Sequence, residues 1–155
     1  EEALGNLVAM RTAEGENIRA DLLARIDVLE GFVAELEKLA PEIVASYRQR
    51  LEKLLEEYLA REDIDESRII QETALFTDKV NYTEETVRLH SHFDQFRIIM
   101  GMDEPIGRKL DFLIQEMNRE INTVASKANS AGAARFVVDV KSEIEKIREQ
   151  IQNIE

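Results

Sequence analysis

Residues 115–122 read QEMNREIN: two acids, an arginine, two asparagines and a glutamine surround only two apolar side chains. On a helix that turns about 100° per residue, Leu110, Leu113, Ile114, Met117, Ile121, Val124 and Ala128 gather on one side as a stripe to be buried. Arg108, Asp111, Gln115, Arg119, Asn122 and Ser126 fall opposite, while Glu116, Glu120 and Lys127 border the stripe. A solvated face laced with i,i+4 ion pairs is the ordinary meaning of such a pattern. Arginine, amides and a hydroxyl in one line are also the groups that make directed hydrogen bonds to phosphate and sugar. Residues 105–135 hold five bases (Arg108, Lys109, Arg119, Lys127, Arg135) against three acids (Asp111, Glu116, Glu120), so a polyanion would be received there.

Carboxylates one turn apart, such as Glu116 and Glu120, suit Mg²⁺ or Mn²⁺, and an ion so held can activate a water or steady a leaving oxygen in phosphodiester cleavage. Glu72 and Asp78, in IIQETALFTDK, would join them if the helices converge. His90 and His92 lie about 200° apart on a helix and cannot grip a metal as an i,i+4 pair. Neither has a glutamate three positions before it, which removes the Glu-x-x-His pattern of di-iron bundles. His92 borders the stripe of Leu89, Phe93, Phe96 and Met100, as a packed, hydrogen-bonded residue or as a general acid or base. GMDEPIGRKL lacks the spacing and the Lys-Ser/Thr ending of a phosphate loop, no Gly-x-Ser-x-Gly elbow occurs, and there is no cysteine. Nucleotide-loop, serine-hydrolase and thiol chemistry are thereby excluded.

The elements that must position these groups are helices. Long runs of Leu, Ile, Ala, Glu, Lys and Arg, with six glycines and two prolines in 155 residues, predict an all-α chain. Ile18, Leu22, Leu29, Val33, Leu36 and Ala40 form one stripe, and Val44, Tyr47, Leu51, Leu54 and Tyr58 form another beyond Pro41. The expectation is a long antiparallel or bent helical arm over 1–61, with helices at about 2–40 and 42–60, followed by a C-terminal helical bundle over 62–155. Its helices are expected at about 66–79 with Asp65 as cap, 83–100, 105–128 with Pro105 in the first turn, and 133–153. The chain opens in helical composition without Met or a capping residue, so the natural protein is expected to begin earlier. No run approaches the roughly 18 apolar residues of a membrane span, so no membrane association and a cytoplasmic location are expected. The net charge of −12 argues against indiscriminate nucleic-acid binding.

EPIGRKLDFLIQEMNREINTVASKAN and the closing VVDVKSEIEKIREQIQNIE resemble the C-terminal region of the YicC family of bacterial stress-associated proteins. RLHSHFDQF, IIQETALFTDK and LVAMRTAEGENIRADLLARI resemble it too, so the likeness spans essentially the whole chain. The resemblance implies a cytoplasmic, metal-assisted endoribonuclease using Mn or Mg, assembled as a homo-oligomer of six chains, with an N-terminal α/β domain absent here. Glu72, Asp78, His92, Arg108, Lys109, Asp111, Gln115, Glu116, Arg119, Glu120, Asn122, Ser126 and Lys127 fall in the matched stretches, and the mechanism expected from them has Arg108, Lys109, Arg119 and Lys127 hold RNA phosphates while Gln115, Asn122 and Ser126 position the strand. Glu116 and Glu120, with Glu72, would hold the metal, and His92 would transfer a proton. Where the family commonly has Asp-Ile before its Glu-Glu pair, this chain has Asn81 and Tyr82, so a metal-binding acid there would be missing. The alternative reading is an oligomerisation and RNA-docking module, with catalysis in the absent domain or in a partner ribonuclease.

Overall fold

A computed structural model describes residues 2–59, 66–128 and 130–152, with the side chains at 58, 59, 66, 68, 69 and 72 outside that description. Helix formers dominate the chain, and the described residues form helices with no strand among them: α1 (Glu2–Leu59), α2 (Glu66–Val80), α3 (Thr83–Ile99), α4 (Gly107–Lys127) and α5 (Ala131–Ile151). Apart from the break expected at Pro41, the helix ends lie within two residues of those expected. Pro105 lies just before α4 rather than in its first turn, because Ile106 occupies the cap position. Asp65, the expected cap of α2, and the expected boundary near residue 62 fall outside the described residues.

The break expected at Pro41 does not occur; α1 runs through it. The reason is visible in the stripes. Leu22, Ile26, Leu29, Val33, Leu36 and Ala40 continue in the same four-three rhythm through Val44, Tyr47 and Leu51, so a continuous helix keeps this stripe in phase on both sides of the proline. Pro41 is exposed, which leaves the Glu37 carbonyl it deprives of a donor within reach of water. In-phase packing on both sides offsets a local cost of about 3 kcal/mol.

The middle of α1 packs against α3 and α5, and α4 packs against the same two helices. These four therefore enclose one core, with α4 diagonal to α1. Leu22, Leu29 and Leu36 of α1 meet Leu89, Phe93 and Phe96 of α3, the α4 stripe and Val140, Ile144 and Ile147 of α5 in a single buried cluster. The predicted α4 stripe, Leu110 to Ala128, is buried throughout. Ser130 caps α5, its hydroxyl accepting the Ala133 N–H at 3.1 Å. α2 lies apart from this core against α1, where Phe76 stacks on Tyr47 at 5.7 Å between centroids. No helix of the described residues is long and apolar enough to cross a membrane.

Asn81 and Tyr82 both have structural work at the start of α3. The Asn81 Oδ1 accepts the Thr83 N–H at 3.0 Å and the Thr83 hydroxyl at 2.7 Å, which tightens the entry to the helix. Tyr82 is fully buried and donates its hydroxyl to the Leu36 carbonyl at 2.7 Å. Burial pushes the Tyr82 phenol up from 10.0 to about 12. Because the folded value exceeds the unfolded one, this contribution to stability is intact at neutral pH and is lost as pH climbs from 10 toward 12. Tyr82→Phe should cost about 1 kcal/mol at neutral pH through the lost hydrogen bond, and should flatten the alkaline limb of a stability–pH curve measured by denaturant titration.

Candidate functional site

α3 and α4 are joined through residues 100–106 and run antiparallel, so a polar residue on one meets a polar residue on the other along their seam. The Arg88 Nε donates to Glu120 Oε1 at 2.8 Å, and the Lys127 Nζ donates to Glu85 Oε1 at 2.8 Å. Arg88 also reaches Glu84 at 3.0 Å and Glu85 at 3.2 Å. Glu85, Arg88 and His92 share one face of α3 at three- and four-residue spacing. Continuing the register by one turn brings His92 level with Glu116.

Two buried atoms in this seam have no partner: Oε2 of Glu85 and Nδ1 of His92. Glu85 is 3% exposed. Burial pushes its carboxyl up, but the Lys127 ammonium, its own backbone N–H and the Arg88 guanidinium together hold it below the ordinary carboxylate range. The Arg88 guanidinium is pushed up, chiefly by its bond to Glu120. The seam is thus a set of charges fixed by one another, with an imidazole beside them.

The outer side of α4 is different. Arg108, Gln115, Arg119, Asn122 and Ser126 are exposed and share one line, on the side of the bundle farthest from α1. Arg119 Nη1 donates to Glu116 at 2.7 Å, yet its side chain stays 74% exposed, and an ion pair so open to water holds its partner weakly. The Gln115 amide donates to Asp111 at 2.8 Å, and the Ser126 hydroxyl donates to the Thr123 carbonyl at 2.8 Å. Arg108 has no ion pair among the described residues.

The expected site residues therefore fall into two groups. The exposed line holds Arg108, Gln115, Arg119, Asn122 and Ser126; the seam holds Glu116, Glu120, Lys127 and His92. Two of the expected phosphate contacts stand apart from the line. Lys127 is bound to Glu85, and Lys109 is turned toward the loop, bonded to Glu104 and touching the Met102 sulfur. Sequence reasoning passed over Glu85 and Arg88. Their i,i+3 spacing on the face that also carries His92 was the available signal, but Glu84 and Glu85 equally suit the start of any helix.

The described carboxylates do not by themselves make a metal cradle: among the described residues no three His, Asp or Glu side chains are arranged to hold an ion. Glu116 faces Arg119 and Glu120 faces Arg88, so an ion would compete with two guanidiniums for the same oxygens. The Glu72 side chain lies outside the described residues. Asp78 is exposed on α2, which packs on α1 and not in the seam.

Residues 36–155 match the family described as "Endoribonuclease YicC-like, C-terminal". The chain belongs to the YicC family. Over its whole length it is 47% identical to "Probable endoribonuclease YicC" of Clostridioides difficile (strain 630), and covers 53% of that protein. It is 35% identical to "Probable endoribonuclease YicC" of Haemophilus influenzae (strain ATCC 51907 / DSM 11121 / KW20 / Rd), again over its whole length and 53% of the relative. The chain spans about half the length of these curated YicC relatives. All the groups described above, in seam and line alike, lie within the part that matches the YicC C-terminal family.

Proposed function

We propose that this chain is the RNA-engaging half of an endoribonuclease, in which the exposed line of α4 receives the strand and the α3/α4 seam supplies the groups that cleave it. The relatives' shared description as endoribonucleases supports the activity. The observation that carries the assignment of roles is the division of α4 itself. Its exposed side offers guanidinium, amide and hydroxyl groups to phosphate and sugar, and its flank carries Glu116 and Glu120, the latter fixed by Arg88, on the side that faces the α3 residues Glu85 and Arg88.

In this reading Arg108 and Arg119 hold phosphates, while Gln115, Asn122 and Ser126 fix the strand. Lys127 contributes through Glu85, as the cation that keeps the seam neutralised. His92, with Nδ1 enclosed in the seam, moves the proton. A metal-assisted variant would need Glu116 and Glu120 to exchange Arg119 and Arg88 for Mn²⁺ or Mg²⁺, with Glu72 as the candidate third ligand.

The second reading, an oligomerisation and RNA-docking module without catalysis of its own, draws on α1. Leu4, Leu7, Val8 and Met10 stand 55–71% exposed on its first turns, a surface suited to another copy of the chain in a homo-oligomer or to a partner ribonuclease. Incubating the chain and its full-length parent with RNA in Mn²⁺, in Mg²⁺ and in EDTA separates the readings. Cleavage by the chain supports the first, and binding without cleavage by the chain supports the second. Failure to bind RNA at any salt concentration would overturn both. Loss of cutting in EDTA would add the metal, and a 2′,3′-cyclic phosphate on the product would identify attack by the ribose 2′-hydroxyl.

A further inference from the structure

The exposed line of α4 contains one residue that hydrophilicity does not explain. Phe112 stands between Arg108 and Gln115 on that same face and is 61% exposed. Single exposed apolar residues are common on protein surfaces, but the others here are aliphatic: among the described residues, every other large apolar side chain left exposed is Leu, Ile, Val or Met. The remaining described aromatics are buried or half-buried, as with Phe93 and Phe96 in the core and Phe76 against Tyr47. A phenyl ring flanked by guanidinium and amide groups, on a stiff helix, has the composition of a stacking platform for a nucleobase.

We infer that Phe112 stacks on an unpaired base, so that the α4 line takes single-stranded RNA in preference to duplex. The inference rests on the RNA reading above and adds the form of RNA. Charge complementarity supports the occupant. Positions 108, 111, 112, 115, 119, 122 and 126 carry two arginines against one acid in a chain of net charge −12, and that acid, Asp111, is engaged by the Gln115 amide. From Arg108 to Ser126 the line extends about 27 Å, room for several nucleotides, with the ring near one end and Arg119 beyond it. In an A-form duplex the base faces are covered by their neighbours and a protruding ring has nothing to stack on. A strand with splayed bases presents such faces together with its phosphates.

The test uses the full-length protein and two fluorescein-labelled RNAs of equal length, an unstructured oligonucleotide and a perfect duplex, with binding read by fluorescence anisotropy at fixed salt. Phe112→Leu keeps an apolar side chain at an exposed position and removes the aromatic face, so folding is unaffected. It should weaken single-strand binding about tenfold, leave duplex binding unchanged and erase the preference between the two, while Phe112→Trp retains it. Single-strand affinity unchanged in Phe112→Leu, with RNA still bound, would overturn the stacking inference and leave the RNA reading standing. A change in oligomeric size by sedimentation, without any change in RNA affinity, would reassign Phe112 to a protein contact and overturn the inference equally. Binding of neither RNA by the unsubstituted protein would overturn both readings together.

Discussion

Lys127→Met is expected to destabilise the protein by about 2 kcal/mol. The reason is the carboxylate left behind. Glu85 is 97% removed from solvent and already has one oxygen without a partner. Of its two cations, Lys127 makes the closer bond, at 2.8 Å against 3.2 Å for Arg88. Removing the lysine strands a buried charge, whose desolvation is then only partly compensated. Lys127 is itself about a quarter exposed and Arg88 remains, which places the loss below the 3–5 kcal/mol typical of a fully buried pair.

Denaturant titration checks this, with an unchanged m value expected because the folded core is the same. Adding Glu85→Leu to Lys127→Met should return most of the loss, since an apolar pair in the seam has no charge to solvate. The acid limb gives a second reading. The folded Glu85 carboxyl lies below its unfolded value, so its contribution is full above about pH 4.3 and is lost as pH falls through the folded value. Glu85→Leu should remove that part of the acid sensitivity. A change below about 0.5 kcal/mol in Lys127→Met would mean that the seam is open to water and that Lys127 is free for other partners.

Glu120→Gln should lower RNA cleavage by about a hundredfold or more while RNA affinity stays within a factor of about two. Glu120 is 13% exposed and fixed by Arg88, so the isosteric amide still fills the seam and accepts the Arg88 N–H. Arg88 keeps Glu84 and Glu85 as counter-charges, so a thermal melt should move only slightly. A substitution that preserves fold and binding but silences cleavage isolates the carboxylate's charge as the operative property. His92→Gln should behave alike, lowering cleavage while leaving RNA affinity within the same factor. Full cleavage by both variants would place the chemistry elsewhere in the protein and favour the docking-module reading.

Much of this molecule is legible in its sequence because its strongest signals are local. The α4 stripe from Leu110 to Ala128 and the opposing line from Arg108 to Ser126 follow from the helical period alone. Pro41 shows two local signals in conflict. The imino acid argues for a break, the unshifted phase of Ala40, Val44 and Tyr47 argues for continuity, and packing against α2, α3 and α5 decides for continuity. The seam could not be read in this way. That Arg88 meets Glu120 and Lys127 meets Glu85 depends on the register between two helices, which no spacing within either one encodes. Those same pairings convert Lys127 from a surface cation into a structural one. Phe112 is passed over for a simpler reason: a search for hydrogen-bonding groups along α4 skips the apolar residue among them.

The claim on which the functional account rests is that the outer line of α4 meets the RNA backbone, and the salt dependence of RNA affinity measures it most directly. Each phosphate held by a cation contributes about 0.7 to the slope of log K against log salt on a single strand. Arg108→Ala combined with Arg119→Ala removes both arginines of the line without touching the core, since both are exposed. The account predicts a slope shallower by about 1.4 and weaker binding at every salt concentration below that of the crossover. An unchanged slope, with affinity equal to that of the unsubstituted protein, would show that RNA is held on some other surface.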